Sequence, residues 1–368
     1  MTPKAQRQVH PAASALLILL VLGAVQAIWW RFLVYHDPGK RGGPPPGGMP
    51  SSEPQVTLVG RTDVIVTSFA GDQNPGDSDG PGHAARFDRP TGLALDSHGN
   101  ILVADTGNHR IRRISPLGET VTVAGGEAGY ADGPVDQARF NAPCGICVGP
   151  DDAIYVADTG NRCLRRIQNG QVTTLGARPQ KLGVGSMMTG ISYVPEPKPA
   201  LLVADTTGRA LQRRGLDGVV ESEQKVAAEP VSVVGAPRAA AIPGAGALML
   251  GSQTLKDIPI ESSTELTAKQ RQILLLHAPT GLGRLGQGWL VSDNGFGAVF
   301  FVLNGRAQLI AGYASSAGPI RSYRDSDGST AMFGKIGGIV SDEKRYAYVA
   351  DTANNIIRRL DLSEVIGH

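Results

Sequence analysis

Between residues 91 and 125, apolar and polar positions alternate in four short runs, each ended by a turn-forming stretch. TGLALD ends at SHGN and ILVAD ends at TGNH. RIRRIS alternates with Ile111 and Ile114 on its apolar side, and LGET then turns the chain into VTVAG. A period of two between closely spaced Gly and Asn signals predicts four antiparallel strands in a meander. The same order returns at 144–177 (CGICVG, DDAIYVAD, CLRRIQ, NGQVTTLGA) and from Gly190 (GISYVP, LLVAD, ALQRRG, GVVESE). A fourth unit is degenerate: PVSVVG, ALMLGS, LKDIPI and RQILLL, with a polar insertion near 261–270. A fifth reads GLGRLG, GWLVSDN, AVFFVLN and AQLIAG; a sixth reads GGIVSD, AYVADTAN and IIRRLDL and stops after three strands.

The missing strand stands at the other end of the repeats. Asp63–Gly71 reads DVIVTSFAG and matches VTVAG and AQLIAG. Pairing it as the outer strand of the last unit closes the array and removes its open edge. The second-strand residues Val103, Val156, Val203, Met249, Val291 and Val349 lie 40 to 58 residues apart. The expected fold is therefore an all-β, six-bladed β-propeller of four-stranded blades, closed by strand 63–71 and preceded by one transmembrane helix.

The clearest repeat is VADTG at 103–107 and 156–160, with LVADTT at 202–207 and YVADTA at 348–353. These units resemble NHL repeats, the propeller family named for an Asn-His-Leu signature. The cognate tripeptides are Asn108-His109-Arg110, Asn161-Arg162-Cys163, an altered Gly208-Arg209-Ala210 and Asn354-Asn355-Ile356. The preceding loops share DG…ARF…P, at Asp79-Gly80…Ala85-Arg86-Phe87…Pro90 and Asp132-Gly133…Ala138-Arg139-Phe140…Pro143. A weaker copy reads Asp327-Gly328…Ala331-Met332-Phe333. The resemblance covers about 63–362. It implies a propeller, and for some members RNA binding.

The amino terminus changes the picture. Ala12–Trp30 is 19 residues without charge, with only Ser14 and Gln26 polar, long enough to span a bilayer as a helix. Trp29 and Trp30 close the run and Arg31 follows, as at a membrane boundary. Val25-Gln26-Ala27 offers a signal-cleavage site, but the apolar run continues beyond it. The expected domains are a tail (1–11), a signal anchor (12–34), a Pro/Gly-rich linker (35–58) and the propeller (59–368). The positive-inside rule places the amino terminus in the cytoplasm and the propeller outside it. The alternative is secretion after cleavage near Ala27.

Net charge is +2, and residues 1–50 hold five Lys or Arg against Asp37 alone. The folded part is thus close to neutral, without a bulk basic signature for nucleic acid. Three cysteines, Cys144, Cys147 and Cys163, form no disulfide framework, and the CxxC sits in a strand, where it reads as core filling.

Asp105, Asp158, Asp205, Asp293 and Asp351 recur at the end of the second strand. Recurrence in successive units reads as a structural turn cap, each Asp accepting amides of its own turn, rather than a metal site. The Arg pairs 112/113, 165/166, 213/214 and 358/359 read as solvating sheet faces and meeting carboxylates between blades. Phe87, Phe140 and Phe333 read as wedges between blades. The second-to-third-strand turns and the DG…ARF loops share one rim, whose candidate ligand contacts are Arg86, His109, Arg139, Arg162, Arg209, His277 and Phe296. No GxSxG, GK[ST] or HExxH motif is present, and no catalytic residue, metal ligand or cofactor is expected. The expected function is a non-catalytic platform binding a protein, peptide or glycan. The rival is a lyase or hydrolase with a divalent ion in the central channel, a chemistry that resemblance to the amidating lyases brings to mind. A third reading, an RNA-binding propeller, requires inverted topology.

Overall fold

A computed structural model describes residues 57–176, 188–195, 198–205, 210–225, 232–234, 248–250, 260, 276, 278–304, 306–315 and 321–366. The chain divides into Met1–Pro54 and Gln55–His368. The expected tail and signal anchor, and the linker up to residue 56, lie outside the described residues. Among the described residues no helix is long and apolar enough to cross a membrane.

Strands β1 (Thr57–Val59) and β2 (Ile65–Gly71) precede the first blade. Blade I follows a two-residue strand, β3 (Gly80–Pro81), and consists of β4 (Pro90–Leu95), β5 (Ile101–Asp105), β6 (Arg110–Ile114) and β7 (Glu119–Gly125). Blade II repeats this with β8 (Gly133–Pro134), β9 (Pro143–Val148), β10 (Ile154–Asp158), β11 (Cys163–Gln168) and β12 (Gln171–Leu175). Blade III holds β13 (Met188–Val194), β14 (Ala200–Asp205), β15 (Ala210–Arg214) and β16 (Val220–Lys225). After β17 (Ser232–Val234) and β18 (Leu248–Leu250), blade IV holds β19 (Pro279–Leu285), β20 (Gly288–Asp293), β21 (Ala298–Leu303) and β22 (Arg306–Ala311). Beyond β23 (Tyr313–Ser315) and β24 (Ser326–Asp327), blade V holds β25 (Ile339–Ser341), β26 (Tyr346–Asp351) and β27 (Ile356–Asp361). Its fourth strand is β2, which pairs antiparallel with β27 from Ile65↔Asp361 to Gly71↔Ile356.

Among the described residues the protein is an all-β propeller with five complete blades, which corrects the expected six. Of the four strands read into the degenerate fourth unit, only two form a ladder among the described residues, β17 with β18. Ile260, the described residue of LKDIPI, bridges to Ala307 of blade IV. The run APRAAAIPGAGA that separates β17 from β18 lacks the alternation a paired strand needs. The innermost strands pack side by side around the ring, with β17 between β13 and β19, and β25 returning to β4.

The second strand of a blade is covered on both faces by neighbouring blades. Every residue of β5, β10 and β20 is buried, which is why these strands read as continuous apolar runs ending in Asp. The core is a set of seams. Ala94, Leu102 and Ala124 of blade I meet Ile146, Ile154 and Val172 of blade II. Tyr348, Ala350 and Ile357 of blade V meet Leu93, Ile101 and Val103 of blade I.

Candidate functional site

The Val-Ala-Asp-Thr-Gly segment leaves the second strand through a short 3-10 turn, Thr106–Asn108 in blade I, and ends at a left-handed residue, His109 (φ 56°). The turns Thr159–Asn161 and Thr352–Asn354 end the same way at Arg162 and Asn355. Each side chain of this turn has a separate task. Asp105 Oδ1 accepts the amide of Asp88, 2.8 Å away and 17 residues back. Its Oδ2 accepts Asn108 Nδ2 at 2.8 Å and Arg112 Nη1 at 2.9 Å. Asp158 does this with the Asn141 amide, Asn161 and Arg165, and Asp351 with the Gly334 amide, Asn354 and Arg358. These aspartates therefore hold the loop that leads into their own blade. They do not cap their own turn, as the sequence suggested; Asp293 does, accepting the amides of Gly295 and Phe296.

The arginine seven residues on is the feature that sequence reasoning missed. Arg112, Arg165 and Arg358 are fully buried, while only the second Arg of each pair reaches solvent. Arg112 donates to the carbonyls of Arg86 (2.9 Å) and Ser78 (2.7 Å) and pairs with Asp79 at 2.6 Å. Arg165 does the same with Arg139 O, Ala131 O and Asp132, and Arg358 with Met332 O, Arg324 O and Asp325. The carboxylate of the third copy is thus Asp325, not Asp327, which shifts the register read from the sequence by two residues. The guanidiniums lie 4.9–5.1 Å from the ring centroids of Phe87, Phe140 and Phe333. Tyr130 and Tyr323 add a second ring to Arg165 and Arg358. A buried charge is tolerated when it is paired and hydrogen-bonded; Arg112 bonds through Nε and both terminal nitrogens, whereas Arg165 and Arg358 bond through the terminal nitrogens and leave a buried Nε without a partner. Burial is also the leading influence on the inner carboxyls, pushing Asp105, Asp158 and Asp351 up to about 6 against the pull of their donors.

Thr of the motif joins one blade to the next. Thr106 Oγ1 donates to Pro143 O at 2.7 Å, Thr159 to Met188 O at 2.6 Å and Thr352 to Pro90 O at 2.7 Å. His109 Nδ1 accepts the amide of Ala142 at 3.0 Å, and Asn355 Oδ1 accepts that of Arg89 at 2.8 Å. Burial, helped by the charge of Arg89, lowers the His109 pKa and keeps the ring neutral for this role. Closer to the axis the inner strands touch through glycine. A Cβ on Gly92 would stand 2.2 Å from Cys144 O, and one on Gly338 would stand 2.9 Å from Thr91 O. Beside them Cys144 is half-buried, and desolvation raises its thiol pKa above the ordinary value. Cys147 is buried in the seam with blade III and is shifted the same way. Neither is poised as a thiolate nucleophile.

The proposed rim residues are spread along this face. Arg86 is half-buried, with its stem against Gly76. Arg139 is exposed and pairs with Glu127 at 3.1 Å. Arg162 is half-exposed on its left-handed turn. His109 joins blades I and II. Phe296 is buried among Leu276, Leu282 and Phe300 and is not presented at the rim. Arg209 and His277 lie outside the described residues. Arg89, which the sequence did not single out, stands on the same face, paired with Asp88 at 3.0 Å. Among the described residues no group of three or more His, Cys, Asp or Glu could hold a metal ion.

A ring of antiparallel blades, of which I, II and V are held at the loop end by an Asp–Arg–Phe node, defines a repeat propeller. The NHL repeat family matches residues 87–114 and 140–167, spanning the wedge Phe, the VADTG turn and the buried Arg of blades I and II. Residues 87–114 and 140–167 are thus two NHL repeats. It is 36% identical over 94 residues to SUPPRESSOR OF QUENCHING 1, chloroplastic, of Arabidopsis thaliana, covering 25% of this chain and 9% of that protein. It is 38% identical over 80 residues to NHL repeat-containing protein 2 of Gallus gallus, covering 21% and 11%. The chain thus spans only about a tenth of these curated relatives. A structural genomics protein of unknown function from Bacteroides thetaiotaomicron shares the fold, with TM-score 0.56 and 16% identity, covering 84% of this chain and 76% of that one.

Proposed function

We propose that this protein is a non-catalytic interaction platform whose loop-bearing rim docks a protein, peptide or glycan carrying acidic groups. The observation that supports this is the division of labour in the repeat. Asp, Arg, Thr and Asn of each well-formed copy are engaged in fixing the approach loops, while Arg86, Arg89, Arg139 and Arg162 stand on the face those loops build. Rim loops fixed before binding lose little conformational entropy on docking. Guanidiniums suit carboxylate, sulfate or phosphate recognition.

The test uses the full chain, with a photo-crosslinking residue at position 139 or 162 and a control on the opposite face at the exposed position 344, in the turn between β25 and β26. Adducts expected at 139 and 162 should disappear when Arg139→Glu and Arg162→Glu are combined. Equal capture by the charge-reversed chain would sink this reading. So would turnover of a small ester or peptide substrate by purified protein carrying a stoichiometric divalent ion.

A further inference from the structure

The buried Arg of each node faces the seam with the preceding blade; the second Arg, one position on in the strand, lies on the other face of its blade, toward the following seam, and there the seams differ. In blade V, Arg359 lies 5.3 Å from the Phe69 centroid and 4.9 Å from that of Tyr346. Tyr348 completes the cluster, 5.1 Å from Phe69 and 6.5 Å from Tyr346. These three rings fill the seam between blades V and I. Blade register identifies their counterparts in blade I. Tyr348 pairs with Arg359 as Leu102 pairs with Arg113. Two residues before each stand Tyr346 and Asn100. On the outer strand, the residue after the partner of the buried Arg is Phe69 in one blade and Val123 in the other.

All three aromatic positions of blade V are therefore occupied in blade I by smaller, non-aromatic side chains. At that place the seam between blades I and II opens into a groove of about 580 Å³, lined by Asn100, Leu102, Val123 and Arg113. Blade II restores one ring, with Tyr155 in the position of Leu102, packed beside Tyr193. Arg113 is exposed, and among the described residues its guanidinium makes no hydrogen bond, ion pair or ring contact. Around the groove stand the carboxylates of Asp96, Glu119 and Asp152.

We propose that this groove binds an aromatic side chain of a partner polypeptide, flanked in its sequence by Lys or Arg. The ring occupies the space over Leu102 and Val123 and stacks against Arg113, reproducing in trans the cluster that blade V builds from its own residues. The flanking cation meets the three carboxylates. A desolvated guanidinium–aromatic contact and a buried aromatic anchor both carry binding energy, and the volume falls within the range of ligand and peptide-anchor sites. The groove lies at the end of the seam remote from the VADTG turns, so it does not depend on the rim.

The experiment titrates the full chain into a fluorescently labelled Lys-Trp-Lys peptide and follows anisotropy. Saturable binding is expected, weakened by about tenfold or more when Trp is replaced by Ala. Arg113→Gln should weaken it about three- to tenfold. The double substitution Leu102→Tyr with Val123→Phe supplies the blade V rings in cis. It should abolish binding while raising the thermal unfolding midpoint, and Arg139→Glu should leave binding unchanged. No saturable binding, unchanged affinity in Arg113→Gln, or binding that survives in the folded double variant overturns the proposal. Loss of binding in Arg139→Glu would move the peptide to the rim and overturn it as well.

Discussion

Blades II and IV share a strand order and an Asp at the end of the second strand, yet they treat the position opposite it in contrary ways. In blade II, Val156 pairs across the ladder with Arg165, and in blade IV the equivalent Val291 pairs with Phe300. Arg165 binds the carboxylates of Asp158 and Asp132 and two loop carbonyls. Phe300 instead joins an apolar cluster with Leu282, Val291 and Phe296. Asp293, whose ladder has Phe300 where blade II has Arg165, accepts the amides of Ala278, Gly295 and Phe296 and interacts with the charge of Arg321. A blade can thus form around either centre. What the arginine adds is control of the long loop before the first strand, since its acceptors lie 26 and 34 residues upstream.

The comparison breaks most sharply at Arg165. Arg165→Leu leaves Asp158 buried and unpaired and should cost about 3–5 kcal/mol in denaturant unfolding. Adding Asp158→Asn removes the stranded charge and should recover part of that loss. A cost under about 1 kcal/mol for the single substitution would mean that the loop holds without its staple.

Gly92→Ala comes next. Its methyl would meet Cys144 O, a backbone atom that cannot rotate away, so a loss of about 1–3 kcal/mol in the same assay is expected. His109 gives a smaller, more discriminating effect. Because Asn355 performs the same acceptance in blade V, His109→Asn should stay within about 0.5 kcal/mol of the parent, and His109→Ala should lose about 1 kcal/mol. Equal losses for both would remove the equivalence of the two positions.

The last comparison is in pH. The carboxyls of Asp105, Asp158 and Asp351 are raised in the folded state from 3.8 to about 6. A raised pKa means that the folded protein holds protons the unfolded chain releases. This contribution to stability is complete below about pH 3.8 and is lost as pH rises through about 6. The urea midpoint should therefore fall between pH 5 and pH 7, and Asp105→Asn should flatten that slope by removing one of the three contributions. A slope unchanged in Asp105→Asn would assign the dependence to other groups.

Much of the architecture was legible because the strands of blades I, II and V alternate cleanly and their turns carry Gly and Asn at fixed places. The closing role of 63–71 could be read from its likeness to VTVAG. The blade count could not, because 230–276 contains apolar runs of strand length but not the short Gly and Asn turns that separate the strands of the other blades. The nodes were hidden for a different reason. Strand alternation assigns a face to Arg112 but cannot bring Ser78 and Asp79 back over it; only the returning loop does. Likewise Phe296 followed a turn that resembled the rim turns, yet the missing arginine opposite Val291 left space that Phe296 and Phe300 fill. The groove beside Arg113 is a matter of three residues compared across two blades, visible once the register is known.

The amino-terminal segment does more than supply the last strand. Before β2 enters blade V, β1 pairs with β23, Thr57 opposite Ser315 and Val59 opposite Tyr313, and the amides of Gly60 and Arg61 bond to Gly312 and Ile310 of the preceding blade. Mechanical load arriving from the amino-terminal side therefore meets β1 first. The strand that closes the ring cannot be peeled until that outer latch has given way, so traction on the chain at Thr57 is borne by two neighbouring blades before it can unfasten the circle.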